Sequence, residues 1–310
     1  MAQRTSIAVI GMGGIGGVVA SCLALSGRHR ILVCARRGVE AVSLEDADGT
    51  RCLKLDVVTD YLRADPVDWI LLCTKVQDTA SAAAWFERLC GPGTRVAVLQ
   101  NGIEHERRVA PYTGNCPIVP AVVYFNGKRR STRDFSLCHG SEIDIAIPDT
   151  AIGRAFADLF DGTSLKVSPR EDFQQRLWTK FLLNAVANPI TALTRRRLAV
   201  LARDDIQTVA SQIIQEGLAV ARAYGVDAGE NAESQVLERL RAYPPDEATS
   251  MYFDNMNGRV MEVGALTGTI VMLGERLGVP TPTNRILLAL LEAINDASPD
   301  RATAAASSAG

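Results

Sequence analysis

The first half of the chain alternates short apolar runs with stretches of helical periodicity. The apolar runs are rich in β-branched residues and bounded by turn residues, which is typical of buried strands in a parallel sheet. They occupy residues 6–10, 30–35, 68–73 and 95–99, and shorter strand-like runs follow at 117–124, 134–139, 142–147 and 164–167. Stretches that predict helices lie at residues 18–25, 79–89 and 151–160. Strands that alternate with helices predict an α/β domain, which we expect to span residues 1–168.

The second half has a different pattern, because its apolar residues recur at helical spacing and no run indicates a strand. The predicted helices occupy residues 176–193, 204–224, 230–243, 247–257, 260–277 and 283–297. This pattern predicts an all-helical C-terminal domain over residues 169–297. Residues 298–310 are small and polar, so we expect a disordered tail there.

A glycine-rich turn joins the first predicted strand to the first predicted helix. The turn fits G-x-G-x-x-G and consists of Gly11, Met12, Gly13, Gly14, Ile15 and Gly16. The first glycine of such a motif permits a tight turn, the second lets the backbone approach a pyrophosphate, and the third lets helix and strand pack closely. The helix N-terminus then offers N–H groups to the phosphates. We therefore predict a Rossmann-like dinucleotide-binding domain, against the alternative of a glycine turn without a ligand.

The end of the second predicted strand carries the signal for the type of dinucleotide. Sites that select NAD place an acidic residue there for the ribose 2′-hydroxyl, whereas an arginine suits the 2′-phosphate of NADP. Arg36 holds this position, and the first acidic residue after the strand is Glu40. The predicted cofactor is therefore NADP(H); the alternative is a solvated arginine pair, Arg36 and Arg37.

Two further polar residues follow the carboxyl ends of predicted strands. Lys75 comes after the strand at 68–73, and Asn101 after the strand at 95–99. Ligands of open α/β sheets bind outside those ends, so both residues are candidates for contacts to cofactor or substrate. For Asn101 a second interpretation has equal weight: Asn101 caps the helix that begins near Glu104, and Gly102 supplies the turn. Both interpretations can hold together.

The predicted helix at residues 176–193 is apolar on most of its surface but carries three polar residues on one face. Lys180, Asn184 and Asn188 are spaced i, i+4 and i+8, which places them in one row. Burying a lysine beside two amides is costly unless a polar group meets them. We favour a helix that lines a cleft and offers a cation and two amides to a small polar ligand; the alternative is a narrow solvent-facing stripe. Pro189 should kink or end the helix.

Composition narrows the class of protein. The chain has 310 residues, 47% hydrophobic and 22% charged, with a formal net charge of −2. This balance argues against a nucleic-acid or membrane-surface partner, and no apolar run is long enough to predict a membrane span. The seven cysteines form no C-x-x-C pair and the histidines number three. We therefore expect no metal site, and reduced thiols in a cytoplasmic protein.

These motifs resemble those of the 2-dehydropantoate 2-reductase (ketopantoate reductase) family over nearly the whole chain. The similar segments are the glycine turn, Arg36, T-K at 74–75, Q-N-G at 100–102, L-W-x-K-x-x-x-N-x-x-x-N-P-x-T-A at 177–192, T-S-M at 249–251, M-E-V at 261–263 and G-x-x-x-G-x-P-x-P at 274–282. The lysine–asparagine helix is the specific element, because a generic dinucleotide-binding protein has no need of it.

The resemblance implies a role for each matching residue. It implies that Lys180 is the general acid of ketone reduction and that Glu262 holds the substrate. It further implies that Asn184 and Asn188 hydrogen-bond the substrate and that the hydroxyl of Ser250 meets the substrate carboxylate. By the same resemblance, the residues at 75 and 101 line the junction of cofactor and substrate.

From the residues alone, several of these positions also fit structural roles. Glu262 fits a surface carboxylate at a helix start. Ser250 fits a helix N-cap, although it lies inside the predicted helix at 247–257. Asp254 shares a helical face with Ser250 and is a weaker candidate. His105 is expected to be structural, because its charged neighbours indicate a solvent-facing helix surface.

The function implied by the resemblance is NADPH-dependent reduction of 2-dehydropantoate to pantoate. The chain departs from the family pattern where Glu262-Val263-Gly264 lacks a second acid and where Thr267 replaces an asparagine. A reductase for a different branched 2-oxo acid therefore stays open, as does a non-catalytic NADP(H)-binding sensor. The expected partner is a small-molecule substrate, and a homodimer is left open.

Overall fold

The computed structural model describes residues 4–298. The chain divides into two compact units, Met1–Phe173 and Gln174–Gly310. The predicted domain boundaries at residues 168 and 297 stay predictions. The tail predicted to be disordered lies, apart from Ser298, outside the described residues.

The strands of the first unit are β1 (Ser6–Ile10), β2 (Arg30–Cys34), β3 (Val42–Asp46), β4 (Gly49–Leu53), β5 (Asp56–Val58), β6 (Trp69–Leu72), β7 (Arg95–Val98), β8 (Ile118–Pro120), β9 (Val122–Val123), β10 (Asn126–Arg129), β11 (Asp134–Cys138), β12 (Ile145–Pro148) and β13 (Val167–Arg170). Its helices are α1 (Gly14–Leu25), α2 (Ala83–Leu89), α3 (His105–Thr113) and α4 (Ala151–Ala157). Six of the strands form the central sheet in the order β5-β2-β1-β6-β7-β8, in which all neighbours are parallel. The strand order reverses between β1 and β6, which is where such sheets bind ligands.

The central strands are buried beneath helices, and a second sheet packs on one of these helices. Val9 of β1 and Leu71 of β6 are fully buried, as expected for strands of a parallel sheet. A four-stranded sheet, β10-β11-β3-β4, packs on α1, and a three-stranded sheet has the order β13-β12-β9. The predicted strand at 164–167 is wrong in its bounds, because β13 pairs with β12 from Val167 onward.

The α1 helix approaches the β10–β11 hairpin so closely that only glycine fits at the contact. A Cβ on Gly14 would lie 2.0 Å from the carbonyl oxygen of Gly127, and one on Gly17 would lie 2.2 Å from the Phe135 ring. Both distances are far below van der Waals contact. Gly14 therefore has a packing role in addition to its place in the glycine turn.

The described residues of the second unit form helices joined by turns and irregular segments, with no strand. Its helices are α5 (Phe173–Thr194), α6 (Asp204–Ala223), α7 (Ala232–Arg241), α8 (Ser250–Met256), α9 (Thr267–Leu277) and α10 (Pro282–Asp296). Helix α5 does not end at Pro189 but continues to Thr194. Ile190 and Ala192 beyond the proline are buried, so packing outweighs the hydrogen bond lost at Pro189.

Two of the predicted helices begin too early. Helix α8 starts at Ser250, three positions after the predicted start, because Thr249 caps it through a bond from the Tyr252 N–H. Helix α9 starts at Thr267, and residues 260–266 form an irregular segment with a turn. Among the described helices, none is long and apolar enough to cross a membrane.

Candidate active site

Four predicted site segments follow the carboxyl ends of adjacent strands of the parallel sheet. Arg36 follows β2, the glycine turn follows β1, Lys75 follows β6 and Asn101 follows β7. Main-chain bonds join the strand ends across the sheet: Gly11 N–H donates to the Cys34 carbonyl at 3.0 Å, and Cys73 N–H donates to the Ile10 carbonyl at 2.9 Å. The sheet topology therefore brings these segments to one edge.

The three glycines of the motif have different surroundings. Gly11 has φ +100°, and a Cβ there would lie 2.9 Å from the Thr74 nitrogen. A Cβ on Gly16 would lie 1.9 Å from the Gly11 carbonyl oxygen. A Cβ on Gly13 would meet nothing within 4 Å. The first and third glycines thus serve the turn and the packing, whereas the second leaves its backbone open to a ligand.

The start of α1 supplies donors for an anion. Gly13 is the N-cap and offers no side chain, and the first turn contains no acidic residue. The first N–H groups of a helix have no partner inside the helix, and they carry the positive end of its dipole. Met12 is buried and Ile15 is half-buried, so these two residues are placed to contribute through their backbones. The turn and helix start fit the diphosphate of a dinucleotide.

Arg36 lies in the bend after β2 and is exposed. It forms no hydrogen bond or ion pair with the described part of the chain. An exposed guanidinium next to the glycine turn suits a ribose 2′-phosphate, which it can bind through two parallel hydrogen bonds. The residues at this edge therefore fit NADP(H).

Gln100 ties the ends of β6 and β7 together, a role that the sequence reasoning did not assign. The side chain is 5% exposed. Its Nε2 donates to the Thr74 carbonyl at 3.1 Å and to the Thr79 hydroxyl at 2.9 Å. Its Oε1 accepts from Arg108 Nε at 3.2 Å. The sequence shows the glutamine of Q-N-G as a polar residue at a strand end. It does not reveal the bonds to Thr74 and Thr79, because these residues are distant in sequence.

Asn101 is not the cap of the following helix. Helix α3 begins at His105, and Glu104 in left-handed conformation (φ 57°) is its N-cap. The capping interpretation of Asn101 is therefore wrong, and its half-buried amide has no hydrogen bond with the described residues. His105 is 2% exposed and its Nε2 lies 2.9 Å from the Gln100 carbonyl oxygen. The expectation of a solvent-facing surface at His105 is wrong, because the imidazole is turned to the Gln100 main chain although its sequence neighbours are charged.

Lys180 lies half-buried on α5 among apolar neighbours. Burial lowers its pKa from 10.5 to about 8, because withdrawal from water disfavours the ammonium form. Asn184 is half-buried and Asn188 is 5% exposed, so the interpretation of this row as a solvent-facing stripe is wrong. A lysine with a pKa near neutral can hold and release a proton at ordinary pH.

The two asparagines of α5 differ in what their amides do. The side chain of Asn184 has no hydrogen bond with the described residues. Asn188 donates from Nδ2 to the Asn184 carbonyl at 3.2 Å, and its Oδ1 accepts from the Met251 N–H at 3.3 Å. Asn184 therefore offers an amide to a ligand, whereas Asn188 uses both ends of its amide within the second unit.

Ser250 is the first residue of α8, and it is exposed. Its hydroxyl donates to Asn188 Oδ1 at 3.4 Å. The N-cap is Thr249, whose hydroxyl also lies 2.7 Å from that of Thr191 on α5. The interpretation of Ser250 as a cap is therefore wrong. These contacts fix the start of α8 on α5 beside the row that carries Lys180.

Glu262 lies in the irregular segment before α9 and not at a helix start, so that interpretation is also wrong. It is half-buried between the buried residues Met261 and Val263. Asp254, the weaker candidate, is 5% exposed and pairs with Arg259 Nε at 3.2 Å. This pairing indicates a structural role for Asp254. Within residues 4–298, no group of three or more metal-ligating side chains could hold a metal ion.

Comparisons with known proteins agree over both units. The family model described as ketopantoate reductase PanE/ApbA matches residues 7–149, and the model of the C-terminal part of the same family matches residues 172–295. A 2-dehydropantoate 2-reductase of Caulobacter vibrioides is 37% identical over 93% of this chain and 99% of the relative. One of Mycobacterium tuberculosis is 32% identical over 95% of this chain and 99% of the relative.

Solved structures share the fold. The crystal structure of a ketopantoate reductase from Ralstonia eutropha matches with a TM-score of 0.86 at 27% identity, covering 94% of this chain and 99% of that one. A dimeric ketopantoate reductase from Staphylococcus aureus matches with a TM-score of 0.82 at 24% identity, with the same coverage of 94% and 99%. The fold is therefore a Rossmann-like domain followed by a helical domain, and the chain belongs to the ketopantoate reductase family.

Proposed function

We propose that the protein reduces 2-dehydropantoate to pantoate with NADPH, and that Lys180 is the general acid. The observation that carries the proposal is the lysine itself, half-buried with a pKa lowered to about 8 and followed one turn later by an unengaged amide. The similarity to a 2-dehydropantoate 2-reductase of Caulobacter vibrioides supports this substrate.

The reaction adds a hydride to the carbonyl carbon and a proton to its oxygen. When bound, NADPH supplies the hydride. The ammonium of Lys180 polarises the carbonyl, stabilises the developing alkoxide and donates its proton to that oxygen. The amide of Asn184 hydrogen-bonds the substrate, and the hydroxyl of Ser250 binds the substrate carboxylate. The carboxylate of Glu262 holds the substrate by accepting a hydrogen bond from the hydroxyl group of 2-dehydropantoate. The Ser250 hydroxyl has one proton to donate, so when it binds the carboxylate it turns away from Asn188 Oδ1, which keeps its bond from the Met251 N–H.

The cofactor side of the proposal uses the first unit. The glycine turn and the start of α1 hold the diphosphate, and Arg36 pairs with the 2′-phosphate. Lys75 and Asn101 contact the nicotinamide end. Titration of the protein with NADPH and NADH tests this assignment. NADPH should bind at least about tenfold more tightly, because a charge-assisted contact contributes roughly 1.5–3 kcal/mol. Equal Kd values would contradict the role of Arg36.

A coupled assay tests the substrate. We expect NADPH oxidation with 2-dehydropantoate at a kcat/KM well above that for other branched 2-oxo acids. The panel should include an aromatic 2-oxo acid and NADH, because a D-mandelate dehydrogenase with NADH and anilino(oxo)acetate shares the fold at 21% identity and a TM-score of 0.82. Preference for another acid would favour a different 2-oxo acid reductase, for which Thr267 and Gly264 are the departures from the family pattern. Binding of NADPH without turnover of any acid would favour a sensor.

The assembly and location are also proposed. The dimeric Staphylococcus aureus neighbour supports a homodimer, which light scattering coupled to gel filtration tests. The seven cysteines are free thiols, which supports a reducing, cytoplasmic location. Fractionation of cells that produce the protein tests that location.

A further inference from the structure

A buried asparagine on the last helix holds the backbone of the residue beside Glu262. Asn295 lies on α10 and is 4% exposed. Its Oδ1 accepts from the Met261 N–H at 2.9 Å, and its Nδ2 donates to the Met261 carbonyl at 3.1 Å. Met261 is 2% exposed, so both of its main-chain groups are away from water and bonded to one side-chain amide.

Short-range contacts also close turns in and next to the segment that carries Glu262. On one side, Arg259 N–H donates to the Asp254 carbonyl at 2.8 Å. On the other side, Gly268 N–H donates to the Val263 carbonyl at 3.0 Å. Neither of these bonds involves the main chain of Met261. The amide of Asn295, 34 residues away in sequence, bonds that main chain.

We propose that Asn295 is a positioning residue for Glu262. By bonding both main-chain groups of Met261, it fixes the backbone from which the next side chain extends to the substrate. A side-chain amide suits this task because it donates and accepts at the same time. An aliphatic residue would leave two buried main-chain groups without partners, and the segment would shift to satisfy them. The inference rests on the proposed function, in which Glu262 holds the substrate.

The same helix offers a matched control. Asn284 of α10 is fully buried, and its Nδ2 donates to Glu216 Oε2 of α6 at 2.7 Å. Asn284 thus anchors the other end of the helix to α6 and does not contact the segment that carries Glu262. Replacement of either asparagine by alanine removes one buried side-chain amide. A comparison of the two variants therefore separates a loss of stability from a displacement of Glu262.

The experiment measures KM for 2-dehydropantoate, kcat, Kd for NADPH and Tm. In Asn295→Ala we expect kcat/KM for 2-dehydropantoate to fall by up to about 10²-fold, the cost of a misplacement of about 1 Å, mainly through a raised KM and with an unchanged Kd for NADPH. In Asn284→Ala we expect a lower Tm with an unchanged KM. An unchanged KM in Asn295→Ala, with a raised KM in Glu262→Ala, overturns the inference and leaves the proposed function standing.

A double variant provides the decisive measurement. If Asn295 acts through Glu262, the variant Glu262→Ala/Asn295→Ala has the KM of Glu262→Ala alone. Effects that multiply overturn the inference, because they mean independent action. An unchanged KM and kcat in Glu262→Ala overturns the proposed role of Glu262 and this inference with it. If Asn295→Ala does not fold, the same cycle is run with Asn295→Asp, which keeps the acceptor for the Met261 N–H and removes the donor to its carbonyl.

Discussion

The two units present their candidate site residues by different means. At the sheet edge of the first unit, the candidate diphosphate cradle consists of main-chain N–H groups at Gly13 and the start of α1, held in place by strand order. In the second unit, the candidates are side chains whose elements are fixed by other side chains. Asn188 holds the start of α8, and Asn295 holds the segment before α9.

This difference has a physical consequence for how each region responds to substitution. The backbone-built cradle depends on the absence of side chains at a few glycines, whereas the contacts assigned to Arg36, Lys75 and Asn101 depend on their side chains. A site held by buried amides loses its geometry when one amide is removed, because each leaves a buried donor or acceptor without a partner. The predictions below test this contrast.

The largest effect is expected at Lys180. Replacement of Lys180 by alanine removes the proton donor and the charge that stabilises the alkoxide. We therefore expect kcat to fall by about 10²- to 10⁴-fold, while Kd for NADPH stays close to that of the wild type. Stopped-flow absorbance of NADPH and a fluorescence titration measure the two quantities.

Two control variants sharpen this result. Lys180→Arg keeps a positive charge but cannot release a proton at ordinary pH, so it should also be slow. Lys54→Ala removes an exposed lysine and should leave kcat unchanged. A near-normal kcat in Lys180→Ala would contradict the assignment of Lys180 as the general acid.

The next effect separates two glycines of one turn. In Gly16→Ala the new Cβ would lie 1.9 Å from the Gly11 carbonyl oxygen, so α1 must shift away from β1 at a cost of about 1–3 kcal/mol or more. In Gly13→Ala the Cβ meets no protein atom within 4 Å, and φ −80° is ordinary for alanine. We expect an unchanged Tm in the absence of cofactor but a Kd for NADPH raised by at least about tenfold, or about 1.4 kcal/mol.

Scanning fluorimetry without cofactor and a binding titration give both values. A Gly13→Ala protein that binds NADPH normally would mean that no ligand backbone contact is made at the second glycine. The first region would then lose its assignment as a backbone-built cradle.

The sequence predicted the site residues of the first unit better than those of the second, because the first unit places its site by local features and the second by contacts between distant residues. Strand ends, a glycine turn and the residues after them are local features, and parallel crossover geometry places them together. Gly11, Arg36 and Lys75 therefore follow the strands that the pattern predicted. The bond from Gln100 to Thr79 was not predictable, because it joins residues 21 positions apart.

In the second unit, the local pattern misled where distant contacts decide. Val260, Met261 and Val263 have apolar side chains at spacings that fit a helix, yet the main chain of Met261 bonds to Asn295. The row with Lys180 was predictable because a single helix presents it. It was not predictable that Asn188 bonds to α8 while the amide of Asn184 does not, because this difference depends on the position of α8.

The pH dependence of reduction should report the lowered pKa of Lys180. With the pKa of Lys180 lowered to about 8 by burial, the ammonium form that donates the proton prevails below pH 8 and declines above it. We expect kcat/KM for reduction to be level below that pH and to fall about tenfold per unit above it. Oxidation of the hydroxy acid by NADP⁺ needs the neutral amine and should rise through the same pH. A break near the 10.5 of a solvated lysine would contradict the assigned burial, and Lys180→Arg should remove the break.

The smallest effect distinguishes the two asparagines of α5. Asn184→Ala removes an amide without partners among the described residues. It should therefore raise KM for the 2-oxo acid about threefold to tenfold, since a neutral hydrogen bond contributes roughly 0.5–1.5 kcal/mol, with stability within about 0.5 kcal/mol of the wild type. Asn188→Ala leaves the buried Met251 N–H without its acceptor, so the free energy of unfolding should fall by about 1–3 kcal/mol. Urea denaturation and steady-state kinetics on both variants measure the difference. If Asn188→Ala keeps full stability and raises KM as Asn184→Ala does, the amide of Asn188 serves the substrate and not α8, and the second region is less dependent on buried amides than its hydrogen bonds indicate.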